Sequence, residues 1–162
     1  MNKKLTPRTS RAFSIGLENP QNSLNVGGVL RAAQAFDCGL VIIEQSRSNS
    51  VRLKSPTDTG KGYKSIPVIF GDIAKSTPYA YKRVAVELVE DAVSLVDFTH
   101  PRNALYIFGP ENGSISEDLL AECEYKIFIP SRICLNLAAC VNVVLYDRVS
   151  KIIRNTNRVL FI

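Results

Sequence analysis

The chain has 162 residues, 46% of them apolar and 22% charged, with a formal net charge of +5. This is enough for one domain with a full hydrophobic core, and no apolar run approaches the length of a bilayer span. The N-terminal MNKKLTPRTSR is basic and has no apolar stretch behind it, so it is not read as a signal peptide, and cytoplasmic residence is the default expectation.

Residues 1–11 read as a flexible basic arm, and residues 12–162 as one domain. Residues 12–17 (AFSIGL) are expected to form a buried strand. A polar turn follows at Asn19, Pro20, Gln21 and Asn22. Asn25 is a candidate N-cap for the next helix, whose core face carries Val26, Val29, Leu30, Ala33 and Phe36. Arg31 lies off that apolar stripe, and Gly39 is placed to end the helix. Residues 40–43 are a continuous apolar run of the kind found in central parallel strands.

Residues 45–65 form a long polar, basic loop, with one helical turn expected around 56–60; loops of this length are usually functional or mobile. Strands are then expected at 66–70, 83–89, 103–108 and 125–129. Short helices are expected at 72–76 and at 116–121, the second capped by Ser116, with residues 93–98 as a connection. The final helix, 137–153, is apolar around most of its circumference, and a polar break and an apolar tail follow at 159–162. Strands alternating with helices, each strand a short apolar run, predict an α/β fold: a mostly parallel sheet with helices on both faces. Such a helix must be buried on several sides, and a second subunit is a natural way to do that.

Several chemistries are disfavoured. Cys38, Cys123, Cys134 and Cys140 form no Cys-x-x-Cys pair, and with only His100 available no familiar metal spacing can be assembled. His100, in Thr99-His100-Pro101, reads as a surface histidine. There is no phosphate loop, no nucleophile-elbow motif, and no dinucleotide fingerprint after the first strand.

The charge is uneven: residues 1–64 hold ten Lys or Arg against four acids, and Arg148, Lys151, Arg154 and Arg158 follow near the C-terminus. Such basic segments suit a polyanionic partner such as RNA or DNA. Solvated faces and a disordered arm would carry the same charges, and charge alone does not decide between the two.

Three motifs remain. The first is Asn22, Asn25, Gly27 and Arg31; the second is FGPENG, from Phe108 to Gly113. The third is Ile129-Pro130, then Leu135-Asn136, then an apolar helix reaching Leu145-Tyr146-Asp147. In this order and spacing, across about residues 12–150, the chain resembles the SPOUT superfamily, and within it the SpoU (TrmH-type) RNA ribose 2′-O-methyltransferases.

The resemblance implies a C-terminal trefoil knot that periodicity cannot reveal, and S-adenosyl-L-methionine as methyl donor with no metal. It implies donor contacts at Val86, Gly109, Ile129, Cys134, Leu135 and Leu137, largely through backbone groups. It assigns Arg31 to orienting the 2′-hydroxyl and stabilising its developing charge, helped by an RNA phosphate. Asn25 and Asn136 are implied to fix loop geometry and substrate, and Glu111 to brace the motif loops. It also implies a homodimer through the last helix and an RNA substrate, tRNA before rRNA, because no sizeable added RNA-binding domain is read at either end.

Two positions depart from the family pattern: Gly28, where Asn is common, and Cys134, where Ser is common. These departures keep open a catalytically silent RNA-binding relative as the alternative.

Overall fold

Short runs rich in Val, Ile, Leu and Phe, each flanked by polar turns, make seven strands among the described residues. The computed structural model describes residues 12–46 and 51–155, so the expected arm at 1–11, part of the 45–65 loop and the tail at 159–162 lie outside the described residues. The elements are β1 Phe13–Glu18, α1 Ser23–Ala35, β2 Leu40–Glu44, a 3-10 turn Gly62–Lys64, β3 Val68–Phe70 and α2 Ile73–Ser76. They continue with β4 Lys82–Val86, β5 Val93–Ser94, β6 Ala104–Phe108, α3 Glu117–Ala121, β7 Tyr125–Phe128 and α4 Leu137–Asn155.

All strand pairs are parallel, and the spatial order is β3-β2-β1-β6-β4-β7-β5. A parallel sheet needs cover on both faces. Phe13, Ile15, Leu17, Tyr106 and Phe108 pack into a core with α1 and α4. Ile42, Ala85, Leu105 and Ile107 point the other way, onto Ile73 of α2 and Leu119 of α3. Because side chains alternate along a strand, β6 serves both cores at once.

Several sequence expectations are corrected. The N-cap of α1 is Asn22, not Asn25: its side chain accepts the Leu24 N–H at 2.8 Å. That choice leaves the Asn25 side chain free to reach elsewhere. The helix ends at Ala35, four residues before Gly39. Asp37 takes the left-handed conformation at φ 58°, and Cys38 N–H bonds back to Ala33 O at 2.8 Å. This is a Schellman closure made with Asp rather than Gly. The expected helical turn at 56–60 is instead the 3-10 turn at Gly62–Lys64. Buried Asp58 organises it by accepting the Gly62 and Tyr63 N–H groups at 2.7 and 3.0 Å. Residues 93–98 contain an edge strand, β5, which the sequence reading treated as a connection.

His100 is not a surface residue. Its side chain is only 4% exposed, with Nε2 2.8 Å from Asp147 Oδ2 and Nδ1 2.6 Å from Tyr106 OH. Arg148, also buried, donates to the Pro101 and Arg102 carbonyls and to Tyr106 OH. Lys151 bonds Asp147 and the carbonyls of Leu95 and Phe98. This network locks the middle of α4 onto the segment 95–102.

Burial pushes the His100 imidazole down to about 4; Asp147 opposes that, and Arg148 and Lys151 add to it. The unfolded chain therefore takes up a proton near pH 6.5 that the folded chain refuses until about pH 4. Stability is fully present above pH 6.5 and falls as pH drops through that window. The loss should be about 2 kcal/mol between pH 7 and pH 5. Urea midpoints at the two values measure it. Because His100 is the only histidine, His100→Leu should flatten this dependence.

Candidate functional site

The carboxyl ends of β4, β6 and β7 open into a crevice of about 430 Å³. It is roofed by the irregular segment 129–135 and the first turn of α4. Val86, Gly109, Ile129, Cys134, Leu135 and Leu137, the six positions singled out for donor contact, all line it. Its walls are mainly apolar, with Phe108, Phe128 and Pro130 beside them, and exposed Leu88 and Ile133 stand at its rim. Gly109 is glycine for a steric reason: a Cβ there would lie 2.8 Å from Ile115 N and 3.1 Å from Ser114 C. The turn after β6 doubles back against its own start, which leaves this stretch of backbone bare toward the crevice.

Glu111 joins two of the motifs. Its Oε2 accepts the Gln21 N–H at 2.8 Å. Its Oε1 accepts the Asn22 N–H at 3.2 Å and Asn25 Nδ2 at 2.9 Å. Gln21 Nε2 also donates to Asn112 Oδ1 at 2.5 Å. Partial burial would raise the Glu111 carboxyl, but the bonds from Asn25, Gln21 and Asn22 outweigh it and hold the group below its usual range. The loop after β1 and the loop after β6 are thus tied at their tips. Two of those three donors are backbone groups, so only Asn25 could have been picked out by residue type.

Asn136 sits at the head of α4, where its Oδ1 accepts the Ala139 N–H at 2.7 Å. Its side chain is a helix cap. Cys134 is exposed, while Cys140 is half-buried in the same crevice.

Arg31 lies elsewhere. It is exposed on α1 in a separate notch of about 380 Å³ shared with Gly28, Thr57, Thr59 and Asn142. The first turns of α4 stand between notch and crevice, since Leu137 and Cys140 face the crevice while Asn142 faces Arg31. The departure at Gly28 has a packing cause: a Cβ there would approach Ala138 Cβ to 2.8 Å, so glycine lets α1 and α4 cross closely. The loop 51–65 is laid against α1 beside the notch. Thr57 Oγ1 donates to Leu24 O at 2.6 Å, and Arg52 N–H donates to Ser23 Oγ at 2.9 Å. Arg52, Lys54, Lys61 and Lys64 are exposed along this loop.

Sequence reading missed Glu87, which lines the crevice directly after β4. The available signal was an acid following the apolar run RVAV. No group of three or more His, Cys, Asp or Glu able to hold a metal ion occurs among the described residues.

A model of the SpoU rRNA Methylase family matches residues 12–146. A comparison with curated protein sequences finds no match. Among solved structures, the chain is similar to the A. aeolicus TrmH/SpoU tRNA modifying enzyme, at TM-score 0.79 and 15% identity over 91% of this chain and 78% of that one. It is similar to the SpoU methyltransferase AviRb from Streptomyces viridochromogenes in complex with AdoMet, at TM-score 0.73 and 21% identity. That match covers 87% of this chain but only 60% of AviRb. A structure addressing 2-OH methylation of C/U34 on tRNA matches at TM-score 0.72 and 22% identity, over 90% of this chain and 97% of that one. At these identities the likeness establishes the fold.

Proposed function

The chain belongs to the SpoU rRNA methylase family, and from that premise we propose that it transfers a methyl group from S-adenosyl-L-methionine to a ribose 2′-hydroxyl of RNA, with tRNA as the substrate. The observation that carries the reading is the crevice, where two of the three motifs meet around Gly109 while the third is tied to them through Glu111.

The residues fit the donor. An apolar slot with bare backbone at Gly109 and the 129–135 segment suits an adenosyl group. Val86, Gly109, Ile129, Cys134, Leu135 and Leu137 would hold it. When bound, the donor supplies a methyl group already activated on a sulfonium. The chain's own part is then alignment and charge stabilisation. Arg31, across the first turns of α4 from this chain's own crevice, is assigned to orienting the hydroxyl and offsetting the charge developing on its oxygen where the proposed dimer brings it to the partner's crevice. Asn25 and Glu111 hold the motif loops in register, and Asn136 keeps α4 and the crevice wall in place.

A knotted C-terminal segment is supported by β7 lying between β4 and β5, which are neighbours in sequence. We read residues 12–162 as one domain acting in the cytoplasm. Dimerisation through α4 is supported by its exposed apolar positions, Val143 at 37% and Tyr146 at 66%. A tRNA substrate is supported by the likeness to a tRNA modifying enzyme and to a structure addressing 2-OH methylation of C/U34 on tRNA, and an RNA track by the basic loop beside Arg31.

Calorimetric titration with S-adenosylhomocysteine, the product form of the donor, tests the reading. Saturable binding at about one site per chain is expected. A folded protein that binds RNA but shows no heat with this ligand would be a catalytically silent relative.

A further inference from the structure

Glu87 follows the last residue of β4, and its partly buried carboxylate stands in the crevice wall. Each oxygen is held by one backbone group. Oε1 accepts the Leu88 N–H at 3.1 Å, and Oε2 accepts the Ile115 N–H at 3.1 Å. An ionised carboxylate offers about four acceptor positions, two on each oxygen. One position per oxygen is therefore left over, on a side chain whose orientation is already set. No cationic side chain pairs with Glu87 among the described residues.

The charge acts into the crevice. In the first turn of α4 the Cys140 thiol is held above its usual range by burial first, then by Cys134, with Glu87 also contributing. The crevice that Glu87 lines has apolar walls, with Val86, Phe108, Ile129 and Leu137 among them. A flat apolar slot edged by two adjacent, pre-oriented acceptors matches a ribonucleoside. The base is taken by the walls, and two neighbouring hydroxyls find one acceptor each.

Resting on the methyl-donor reading of this crevice, we infer that Glu87 selects a ribonucleoside donor by accepting both hydroxyls of its ribose 2′,3′-diol. It is a specificity residue; the reacting methyl and the RNA hydroxyl are handled elsewhere. The two backbone bonds matter because they remove the side-chain freedom that would otherwise oppose the interaction. They also couple the diol to Ile115, and so to the turn that begins at Gly109.

The test is calorimetry on the full chain with S-adenosylhomocysteine directly, and with adenosine and 2′,3′-dideoxyadenosine by competition against it. The wild-type chain should prefer adenosine to the dideoxy compound by about tenfold or more, the scale of charge-assisted hydrogen bonds. In Glu87→Gln that preference should shrink to about threefold or less. Glu87→Asp, which keeps the charge but withdraws it from the slot, should lose the preference in the same way.

If Glu87 were only a brace between β4 and the 115 turn, both nucleosides would weaken equally and the preference would persist, overturning the inference. A variant that loses S-adenosylhomocysteine affinity but keeps wild-type binding of adenosine would place the carboxylate at the amino-acid end, and would also overturn it. Failure of the wild-type chain to bind S-adenosylhomocysteine at all would remove the donor reading first, a result distinguishable from either.

Discussion

Arg31→Ala should bind S-adenosylhomocysteine as tightly as the wild-type chain while methyl transfer falls by about 10²–10³-fold. The two halves of this expectation come from different observations. Arg31 is absent from the crevice lining and sits across the first turns of α4, so removing its side chain leaves every donor-facing group in place. It is exposed and takes part in no hydrogen bond or ion pair among the described residues, so the substitution costs little stability. A permanent cation with a planar fork of donors suits a phosphate and an oxygen gaining negative charge. Beside it, Thr57, Thr59 and Asn142 offer polar groups, and the basic loop extends the surface. Arg31→Lys, which keeps the charge and loses the fork, should recover only part of the rate. Single-turnover transfer of a labelled methyl group to tRNA, beside donor calorimetry, separates the two effects. Wild-type turnover in Arg31→Ala would sink the assignment.

The sheet was readable because its strands are buried on both faces, which leaves unbroken apolar runs in the sequence. Positions 40–43 and 103–108 differ from β2 and β6 by a single residue at one end. β5 was not readable: it is two residues long, and its strand character comes from pairing with β7, a contact across more than thirty positions. Helix ends were misread where two residues could perform one task. Asn22 and Asn25 are both good caps, and what separates them is that Glu111, far along the chain, claims the Asn25 side chain. Asp37 closes α1 in a conformation more often given to glycine, so Gly39 drew the eye wrongly. His100 was misplaced for the same reason. A His-Pro pair looks like a surface turn until Asp147 and Tyr106, distant in sequence, are brought to its two nitrogens. The three motifs marked the candidate site because their order and spacing are fixed jointly. The motif residues alone did not reveal that Arg31 and the crevice lie on different sides of α4, since that depends on how Gly28 allows the helices to cross.

Gly109→Ala should lower S-adenosylhomocysteine affinity by more than tenfold and destabilise the fold by about 1–3 kcal/mol, the range for an atom forced into filled space. The added methyl would meet Ile115 N at 2.8 Å and Ser114 C at 3.1 Å. Those are backbone atoms, so no rotamer change relieves the clash. The whole turn 110–115 must move. That turn carries Glu111, which holds Gln21, Asn22 and Asn25, and it ends at Ile115, whose N–H is bonded to Glu87. A shift of a few tenths of an ångström would therefore loosen the tie between motif loops and the wall of the crevice together. Asn25→Ala makes the useful contrast, because it removes one side-chain bond to Glu111 and leaves the turn where it is. It should cost about 1 kcal/mol or less and change donor affinity little. Urea melts and donor titrations on the two variants decide the matter. If Gly109→Ala binds the donor normally, the bare backbone at this position is a matter of turn packing alone. The adenosyl group would then have to rest on the 129–135 segment instead.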